Sequence, residues 1–555
     1  MRRVSKNWSV APDVKFSRAN FNLSHGVQTS LNPGVLVPLE FEEVLPGDTF
    51  NDASTHLVRV SSSFAKPFVG DVYLDTYKFF VPLRLLMADL EKVFGQSGLT
   101  QWTRLEQDQT PIPTTLETST VTKGSVADYL GLPVGAAIPS GLSVLPFRAF
   151  ALIWNEWFRN QNVHDDVNIS DASTRASFEK VNSNAWSTTN YFGMLPPVNR
   201  YKDYFTSALL APQKGVEFYL DGTQVDPKFV QFVTTGLDLD EDRGSPIWVN
   251  RSTGNIVTAG QNLVAGDGGL NGGTYVDEDS AAGSPQSVFL ANGSYHIPSV
   301  NEARLAVQMQ KYLEADALGG SRYREYILSH YGVDNGDARM QIPEFLAGAH
   351  NRINVQQVTT TAQTQISGET YPVGSLAGYS HTVGNRKAHY VKSFTEHGYV
   401  FTVVCVRQKH TYSQGIHKKW FRSVRTMFFD PKFAFLGFQP IYKSEIYGFG
   451  TGDYKTSGVL GYQEPYGEYR CGVNIATAGM RPTGSGALGD VWAIGDLFAA
   501  APSLANLSDE TAANLSRVVT VDPTTEDMFI VDTWFDRSAV RVIPAYATPG
   551  LVDHH

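Results

Sequence analysis

Long apolar and aromatic runs, punctuated by glycine and proline, dominate the chain. GDVYLDTYKFFVPLRLL (70–86) alternates between two sets of side chains, which is the period-2 pattern of a strand. GYVFTVVCVRQ (398–408) is apolar on both faces, as in a strand buried between two layers. RTMFFDPKFAFLGFQP (425–440) is a third such run, broken at its proline. We therefore predict a mainly β protein built as a sandwich or barrel.

Three segments have helical spacing instead. PFRAFALIWNEWFRNQN (146–162) begins with proline and carries an aromatic stripe. SVNEARLAVQMQKYLEADALGG (299–320) begins with a capping box, in which Ser299 caps and Glu302 reaches back, and ends at two glycines. RYREYILSHYG (322–332) is a shorter helix. These helices could lie in the core or at an interface between subunits, and we favour the core.

Composition changes the picture in two respects. Only 18% of the 555 residues are charged, against roughly 25% in typical soluble proteins, while 12% are aromatic. A chain of this kind favours extensive contact between subunits. Its net charge of −10 argues against a basic nucleic-acid binder as a whole.

Targeting and redox features are few. The N-terminus MRRVSKNWSVAPDV lacks the apolar run of a signal peptide, and no stretch approaches the roughly 20 apolar residues of a membrane helix. We expect no membrane insertion. Cys405 and Cys471 form no Cys-x-x-Cys motif, and we predict that both are free thiols.

The acidic charge is concentrated in residues 217–300. This segment has eleven acidic and three basic residues, a balance of −8 that leaves −2 for the rest of the chain. Within it, AGDGGLNGGTYVDEDS (265–280) has five glycines and four acidic residues. Unpaired charge is costly to bury. We therefore interpret 217–300 as an exposed insertion between structured parts.

Segments that partly match catalytic or metal-binding motifs do not predict an enzyme. GFGTGDYKTSG (448–458) has Tyr454 where a phosphate-binding loop needs glycine before its lysine, so a turn is the better interpretation. DLDEDRG (238–244) resembles the start of a calcium loop, but its glycine is one position late and Val249 replaces the closing glutamate. A looser surface cation site stays open there. We predict no cofactor and no catalytic or metal-binding residues.

Two basic features are candidates for nucleic-acid contact. Basic side chains neutralise phosphates, and aromatic rings stack on unpaired bases. The alternative is ordinary solvated surface or, for HKKWFRSVR (417–425), a strand whose aromatic residues pack inward. The candidates in the N-terminal arm (1–20) are Arg2, Arg3, Lys6, Lys15 and Arg18, and those in 417–425 are Lys418, Lys419, Trp420, Arg422 and Arg425.

An ordered set of blocks resembles one family. The blocks are FNLSHGVQTSLNPGVLVPLEFEEVLPGDTF (21–50), YKFFVPLRLL (77–86), LPFRAFALIWNEWFRNQN (145–162), DYFTSALLAPQKG (203–215), EARLAVQMQKYLEADALGGSRYREYILSHYGV (302–333), EHGYV (396–400) and GYQEPYGEYR (461–470). Together they resemble the major capsid proteins of gokushoviruses, small single-stranded DNA bacteriophages of the microvirus family (Microviridae, Gokushovirinae). Leu318 and Phe345 depart from the family pattern.

The resemblance implies a viral jelly roll, an eight-stranded antiparallel fold in two sheets, with long loop and helical insertions. Residues 21–555 would form this single domain. It further implies assembly with other copies of the chain into a T=1 icosahedral shell around a circular single-stranded DNA genome. Other implied partners are a small internal DNA-binding protein, a pilot protein and a scaffolding protein of the same virus. The implied location is the virion, assembled in the host bacterial cytoplasm.

The resemblance also gives 217–300 a role, because a variable insertion of this family forms a protrusion at the three-fold axes. Acidic side chains at its tip would stay solvated, and the hypothesis is that the tip also touches a host-cell receptor. The candidates for receptor contact are Asp238, Asp240, Asp242, Asp267, Tyr275, Asp277, Glu278 and Asp279.

Two other classes of protein stay open. A carbohydrate-binding or carbohydrate-cleaving jelly roll would need acidic residues among aromatic ones, and cleavage would need a carboxylate pair. A receptor-binding spike would form a trimer instead of a closed shell.

Overall fold

The structure is a computed structural model. It describes residues 18–94, 112–115, 118–170, 177–181, 184–215 and 300–545, the last range interrupted at 321, 360, 362, 367–368, 375, 385–386, 450–453, 487, 520–521 and 524. The chain divides into one compact unit formed by Met1–Lys214 with Ala315–His555 and a second formed by Gly215–Glu314. The sheets and the site described below belong to the first unit.

Strands are the main elements of the described chain, which confirms the mainly β prediction. In chain order they are β1 (Ala19–Asn22), β2 (His25–Leu31), β3 (Val37–Val44), β4 (Thr49–Val60), β5 (Val72–Pro82), β6 (Ser119–Thr120), β7 (Ala137–Ile138), β8 (Glu344–Ile353), β9 (Val355–Thr359), β10 (Thr364–Ile366), β11 (Glu369–Tyr371), β12 (Leu376–Val383), β13 (Ala388–Ser393), β14 (Gly398–Gln408), β15 (Gln439–Tyr442), β16 (Val459–Gln463) and β17 (Phe529–Arg541).

The helices are mostly short. They are α1 (Leu90–Val93), α2 (Val126–Tyr129), α3 (Leu145–Ile153), α4 (Val300–Gly319), α5 (Tyr323–Tyr331), α6 (Leu488–Trp492), α7 (Leu504–Ser508) and α8 (Ala513–Ser516). A π-helical turn, Trp154–Phe158, continues α3. All three predicted helices are present, whereas the Ser299 cap lies outside the described residues. Within those residues, no helix is long and apolar enough to cross a membrane.

Two antiparallel sheets carry the fold. In the first, the order is β1-β17-β4-β12-β9, with β2 also paired to β17 and β13 also paired to β4. In the second, the order is β3-β14-β5-β8. Strand β14 lies at its centre, with Phe401 opposite both Phe41 and Phe79. Ten of the eleven residues of β14 are buried, which confirms the predicted strand between two layers.

Apolar contacts cover both faces of the second sheet. Toward the first sheet, Phe394 packs with ring centroids 5.5 Å from Phe50 and 4.7 Å from Phe80. On the other face, Phe79 packs against Trp157 at 5.4 Å. Seven of the nine residues of α3 are buried, so the core position favoured for the 146–162 helix is confirmed.

The core position favoured for the other two helices is wrong. No residue of α5 is buried, and Tyr323 and Tyr331 are each 69% exposed. Helix α5 is instead held by polar contacts, because Gln161 Nε2 donates to the Glu325 carboxylate at 2.6 Å and the Arg324 guanidinium lies over Trp157. Of the α4 side chains that the structure describes, only that of Ala306 is buried.

The run 425–440 is largely not a strand. It forms two short 3₁₀ turns, Arg425–Met427 and Pro431–Phe433, and only its last residues join β15. Phe428 and Phe429 are half exposed, and Phe435 is 96% exposed. Proline sets the turn, and the Asp430 carboxylate caps it by accepting from the Lys432 amide.

A buried charge cluster lies between the two sheets. Asp52 of β4 accepts from Lys78 of β5 at 2.9 Å and from Arg537 of β17 at 3.1 Å. Arg537 also donates to Glu40 of β3 at 2.8 Å. The side chains of Asp52, Lys78 and Arg537 are fully buried. Two cations therefore balance two carboxylates, and burial lowers the pKa of Lys78 although Asp52 opposes this.

A second buried cluster is centred on His410. Its Nδ1 lies 3.0 Å from Asp496, and its Nε2 lies 3.0 Å from Glu510. Arg200 donates to Asp496 at 3.0 Å. Burial opposes protonation of the imidazole, but hydrogen bonds to the two carboxylates raise the pKa of His410 to about 9. The protonated ring donates from both nitrogens, which satisfies both acceptors.

This arrangement predicts a stability that falls in alkaline solution. The pKa of His410 is higher in the folded chain than the ordinary value of 6.5, so its contribution is complete below pH 6.5 and is lost as pH rises through about 9. We expect urea to unfold the protein more readily at pH 9.5 than at pH 6.5. In His410→Gln this loss should be smaller, whereas the exposed His389→Gln should behave as the wild type. An unchanged pH dependence in His410→Gln would contradict the assignment.

Candidate nucleic-acid interface

The segment 417–429 is an exposed series of turns that carries five of the predicted contact residues. It contains a 3₁₀ turn at Lys418–Phe421, which the His417 ring caps by accepting from the Lys419 amide at 3.1 Å. Trp420 is 76% exposed. The alternative of a strand with inward-packed aromatic residues is therefore wrong. We call 417–429, together with 466–469 on which it packs, the basic-aromatic surface.

A buried carboxylate anchors this surface. Glu468, with 2% of its side chain exposed, accepts from Arg422 at 3.0 Å. The Arg422 guanidinium also lies 4.3 Å from the ring centroid of Tyr469. The Tyr466 hydroxyl donates to the Thr426 carbonyl oxygen at 3.2 Å. An ion pair, a cation–ring contact and a hydrogen bond to the backbone thus hold the turns against residues 466–469.

Other groups of the surface remain directed to solvent. Lys419 and Arg425 are exposed, and no ion pair of either side chain occurs within the described ranges. The half-exposed rings of Phe428 and Phe429 lie in the same segment as Trp420. Cations interleaved with open aromatic faces suit a flexible polyanion with unstacked bases, such as single-stranded nucleic acid.

A pocket of about 270 Å³ opens within the basic-aromatic surface. Its lining residues are Lys418, Phe421, Arg422, Thr426, Met427, Gln439, Pro440, Tyr442, Lys455, Tyr466 and Glu468. The sequence identified Lys418 and Arg422 but missed Gln439, Tyr442, Lys455 and Glu468. Lys455 lies in the segment interpreted as a turn, which the 3₁₀ turn Tyr454–Ser457 bears out. GYQEPYGEYR contains two acidic residues, Glu464 and Glu468, and nothing in the sequence distinguishes the second of them as the anchor.

The remaining predicted site residues are not brought to this surface. Arg18 is exposed ahead of β1 and beside Gly47, on the first sheet. The other arm residues, the eight receptor-contact candidates and the 238–244 loop lie outside the described residues. In the part of the chain that the structure describes, no group of three or more His, Cys, Asp or Glu side chains could hold a metal ion. Cys405 is buried, Cys471 is exposed, and both are free thiols, as predicted.

The fold and this surface define a protein of two packed antiparallel β-sheets with an exposed basic and aromatic surface. The model of the family described as "Capsid protein (F protein)" matches residues 9–551. The chain belongs to this capsid protein family, whose role is structural.

Similar curated proteins agree with this assignment. The chain is 32% identical to capsid protein VP1 of Spiroplasma virus 4, over 96% of this chain and 95% of that protein. It is 32% identical to capsid protein VP1 of Bdellovibrio phage phiMH2K, over 99% and 98%. It is 30% identical to capsid protein VP1 of Chlamydia phage 1, over the same shares. The resemblance to microvirus and gokushovirus capsid proteins is thereby confirmed.

Proposed function

We propose that this chain is the major capsid protein of a gokushovirus, and that its copies close into a T=1 icosahedral shell around a circular single-stranded DNA genome. The observation that carries this beyond family membership is the exposure of large apolar side chains. Phe449 is 67% exposed, Tyr331 69% and Phe435 96%. Exposed aromatic residues of this kind are typical of surfaces that subunits bury against one another.

The proposed subunit is an eight-stranded jelly roll. The strand orders support this. In one sheet β12 and β13 pair with successive parts of β4 and share one position, which gives four positions: β2, β17, β4 and β12/β13. The other sheet has the four strands β3-β14-β5-β8, and each sheet alternates strands from distant parts of the chain. The inserted segments 83–343 and 409–528 then emerge between strands of the roll.

The basic-aromatic surface is proposed to face the genome. Its support is the combination of exposed Lys419 and Arg425 with the exposed ring of Trp420. The N-terminal arm, with Arg2, Arg3, Lys6, Lys15 and Arg18, is proposed to add to this contact. Such binding depends on phosphates and stacking and does not read sequence through paired-base edges.

The acidic insertion 217–300 is proposed to form a protrusion at the three-fold axes that contacts a host-cell receptor. Its support is its composition, since eleven acidic residues against three basic ones favour an exposed position. The other proposed partners are the internal DNA-binding, pilot and scaffolding proteins of the same virus. Assembly is proposed to occur in the host bacterial cytoplasm, with the virion as the final location.

Sedimentation of the expressed protein, followed by electron microscopy of the fast fraction, tests the shell. We expect closed, uniform particles. If the expressed chain sediments only as a small species, particles from infected cells supply the second measurement. Finding this chain as a trimeric appendage on those particles, with another protein forming the wall, would refute the proposal in favour of a spike.

A further inference from the structure

Glu468 lines the pocket in the basic-aromatic surface, and one of its carboxylate oxygens lacks a hydrogen-bond donor within the described residues. One oxygen of Glu468, Oε1, accepts from Arg422 at 3.0 Å. The other, Oε2, is buried and has no hydrogen-bond partner within the described residues. Lys418 Nζ lies 3.8 Å from it, which is beyond hydrogen-bond distance. A buried carboxylate oxygen without a donor is costly, and a ligand that donates there would remove that cost.

The walls of the pocket suit a flat ring. Phe421, Tyr442 and Tyr466 supply aromatic surface, and Met427 and Pro440 supply apolar surface. The pocket of about 270 Å³ lies just below the roughly 300–1,000 Å³ typical of small-ligand sites. A single nucleobase with part of its sugar matches that space better than a longer segment of nucleic acid.

The charges around the pocket suit the phosphates that flank such a base. Lys418, Arg422 and Lys455 line it against the single carboxylate of Glu468, so cations exceed anions by two. Because Arg422 pairs with the carboxylate and Lys418 lies close to it, Glu468 does not repel a polyanion as an isolated acid would. Lys419 adds an exposed ammonium in the same 3₁₀ turn as Lys418.

We propose that this pocket binds one unpaired base of single-stranded DNA and prefers a base with an exocyclic amino group. The amino group of cytosine, adenine or guanine donates to Glu468 Oε2, while the flanking phosphates lie near the lysines. Thymine presents a carbonyl oxygen at the corresponding position, and its N3–H donor lies one ring position away, so the same pose leaves Oε2 without a donor. This inference rests on the proposed DNA-contacting function.

Cytosine and thymine offer the sharpest comparison, because both are pyrimidines of similar size and differ at the group that meets Glu468. The probes are dye-labelled 12-mers of deoxycytidine, thymidine, deoxyuridine and abasic sugar phosphate, titrated with the full-length protein at pH 7.5 and low salt. Deoxyuridine lacks the thymine methyl group and so separates the effect of the methyl from that of the amino group. We expect deoxycytidine to bind on the order of tenfold tighter than thymidine or deoxyuridine, the lower end of the effect of one hydrogen bond to a charged acceptor.

Two variants locate the preference in the pocket. In Glu468→Gln the amide oxygen still accepts from Arg422, but the amide nitrogen can donate to a pyrimidine carbonyl. The variant should therefore bind the deoxycytidine and thymidine probes about equally. In Met427→Trp the larger ring fills the pocket, so the preference should disappear while phosphate binding remains. Trp534→Ala is the matched control, since Trp534 is an exposed ring on β17 that does not line the pocket, and it should keep the wild-type preference. Melting temperatures of all variants confirm that they are folded.

The outcomes separate this inference from the function on which it rests. Equal binding of all four probes would overturn the pocket and leave a surface that binds the phosphate backbone. The absence of binding by any probe at low salt would overturn DNA contact itself. A preference for cytosine that survives both Glu468→Gln and Met427→Trp would place the base at another site and would also overturn the proposal.

Discussion

Replacing Asp52 by alanine is expected to destabilise the isolated chain by about 3–5 kcal/mol. The change removes the acceptor shared by Lys78 and Arg537, whose side chains are fully buried between the two sheets. Lys78 can release its proton, and burial already lowers its pKa. Arg537 stays charged at any accessible pH and retains Glu40 as its hydrogen-bonded partner, with Glu42 more distant at 3.8 Å. Urea unfolding monitored by circular dichroism at pH 7 measures the loss.

An exposed ion pair provides the control. Asp71 accepts from Arg352 at 2.7 Å, but the two side chains are 33% and 57% exposed. Solvent screens such a pair, so Asp71→Ala should change the free energy of unfolding by about 0–1 kcal/mol. If both variants lost the same amount, the buried cluster would not have the role described here.

Replacing Lys419 and Arg425 by glutamine is expected to weaken binding of single-stranded DNA several-fold at low salt. Each phosphate contact contributes roughly 0.7 to the slope of log affinity against log salt. The double variant should therefore reduce that slope by about 1.4, and virions carrying it should contain less DNA. Both side chains are exposed, so folding should be unaffected. This choice leaves the Arg422–Glu468 pair intact, unlike neutralisation of all four cations in 418–425.

The matched control neutralises two exposed cations elsewhere. Arg59 lies on β4 and Arg352 on β8, outside the basic-aromatic surface. Arg59→Gln combined with Arg352→Gln removes the same charge and should leave the salt slope at its wild-type value. Equal slopes for the two double variants would show that binding depends on net charge alone and not on this surface.

The sequence pattern predicted the central strands well, because a strand buried on both faces requires apolar residues at nearly every position. The run 398–408 is apolar at nearly every position, and β14 spans Gly398–Gln408 with sheet partners on both sides. The run 425–440 is equally aromatic but forms turns, and its rings are exposed. Apolar composition indicates that a side chain is suited to burial, but it does not say whether its own chain or another molecule covers it.

Contacts between distant residues could not be predicted in the same way. Asp52 and Arg537 are 485 positions apart, and nothing in the local sequence of either marks it as the centre of a buried cluster. The basic-aromatic surface likewise depends on a contact that the sequence pattern does not predict. The alternation of basic and aromatic residues identified Lys418–Arg425 from the sequence. Glu468, which holds that segment through Arg422, is 46 positions away from Arg422, and only the fold brings the two together.

The position of β17 has a consequence for the time course of biosynthesis. This C-terminal strand lies between β2 and β4 in the first sheet, pairing Phe529 with both Leu31 and Val60. At about 5–20 residues per second, the ribosome completes β17 on the order of 25–100 s after β4. During that interval the nascent chain exposes two unpaired strand edges, which other chains can join. Early protection by a chaperone or by a neighbouring viral protein would therefore favour the yield of assembly-competent subunits.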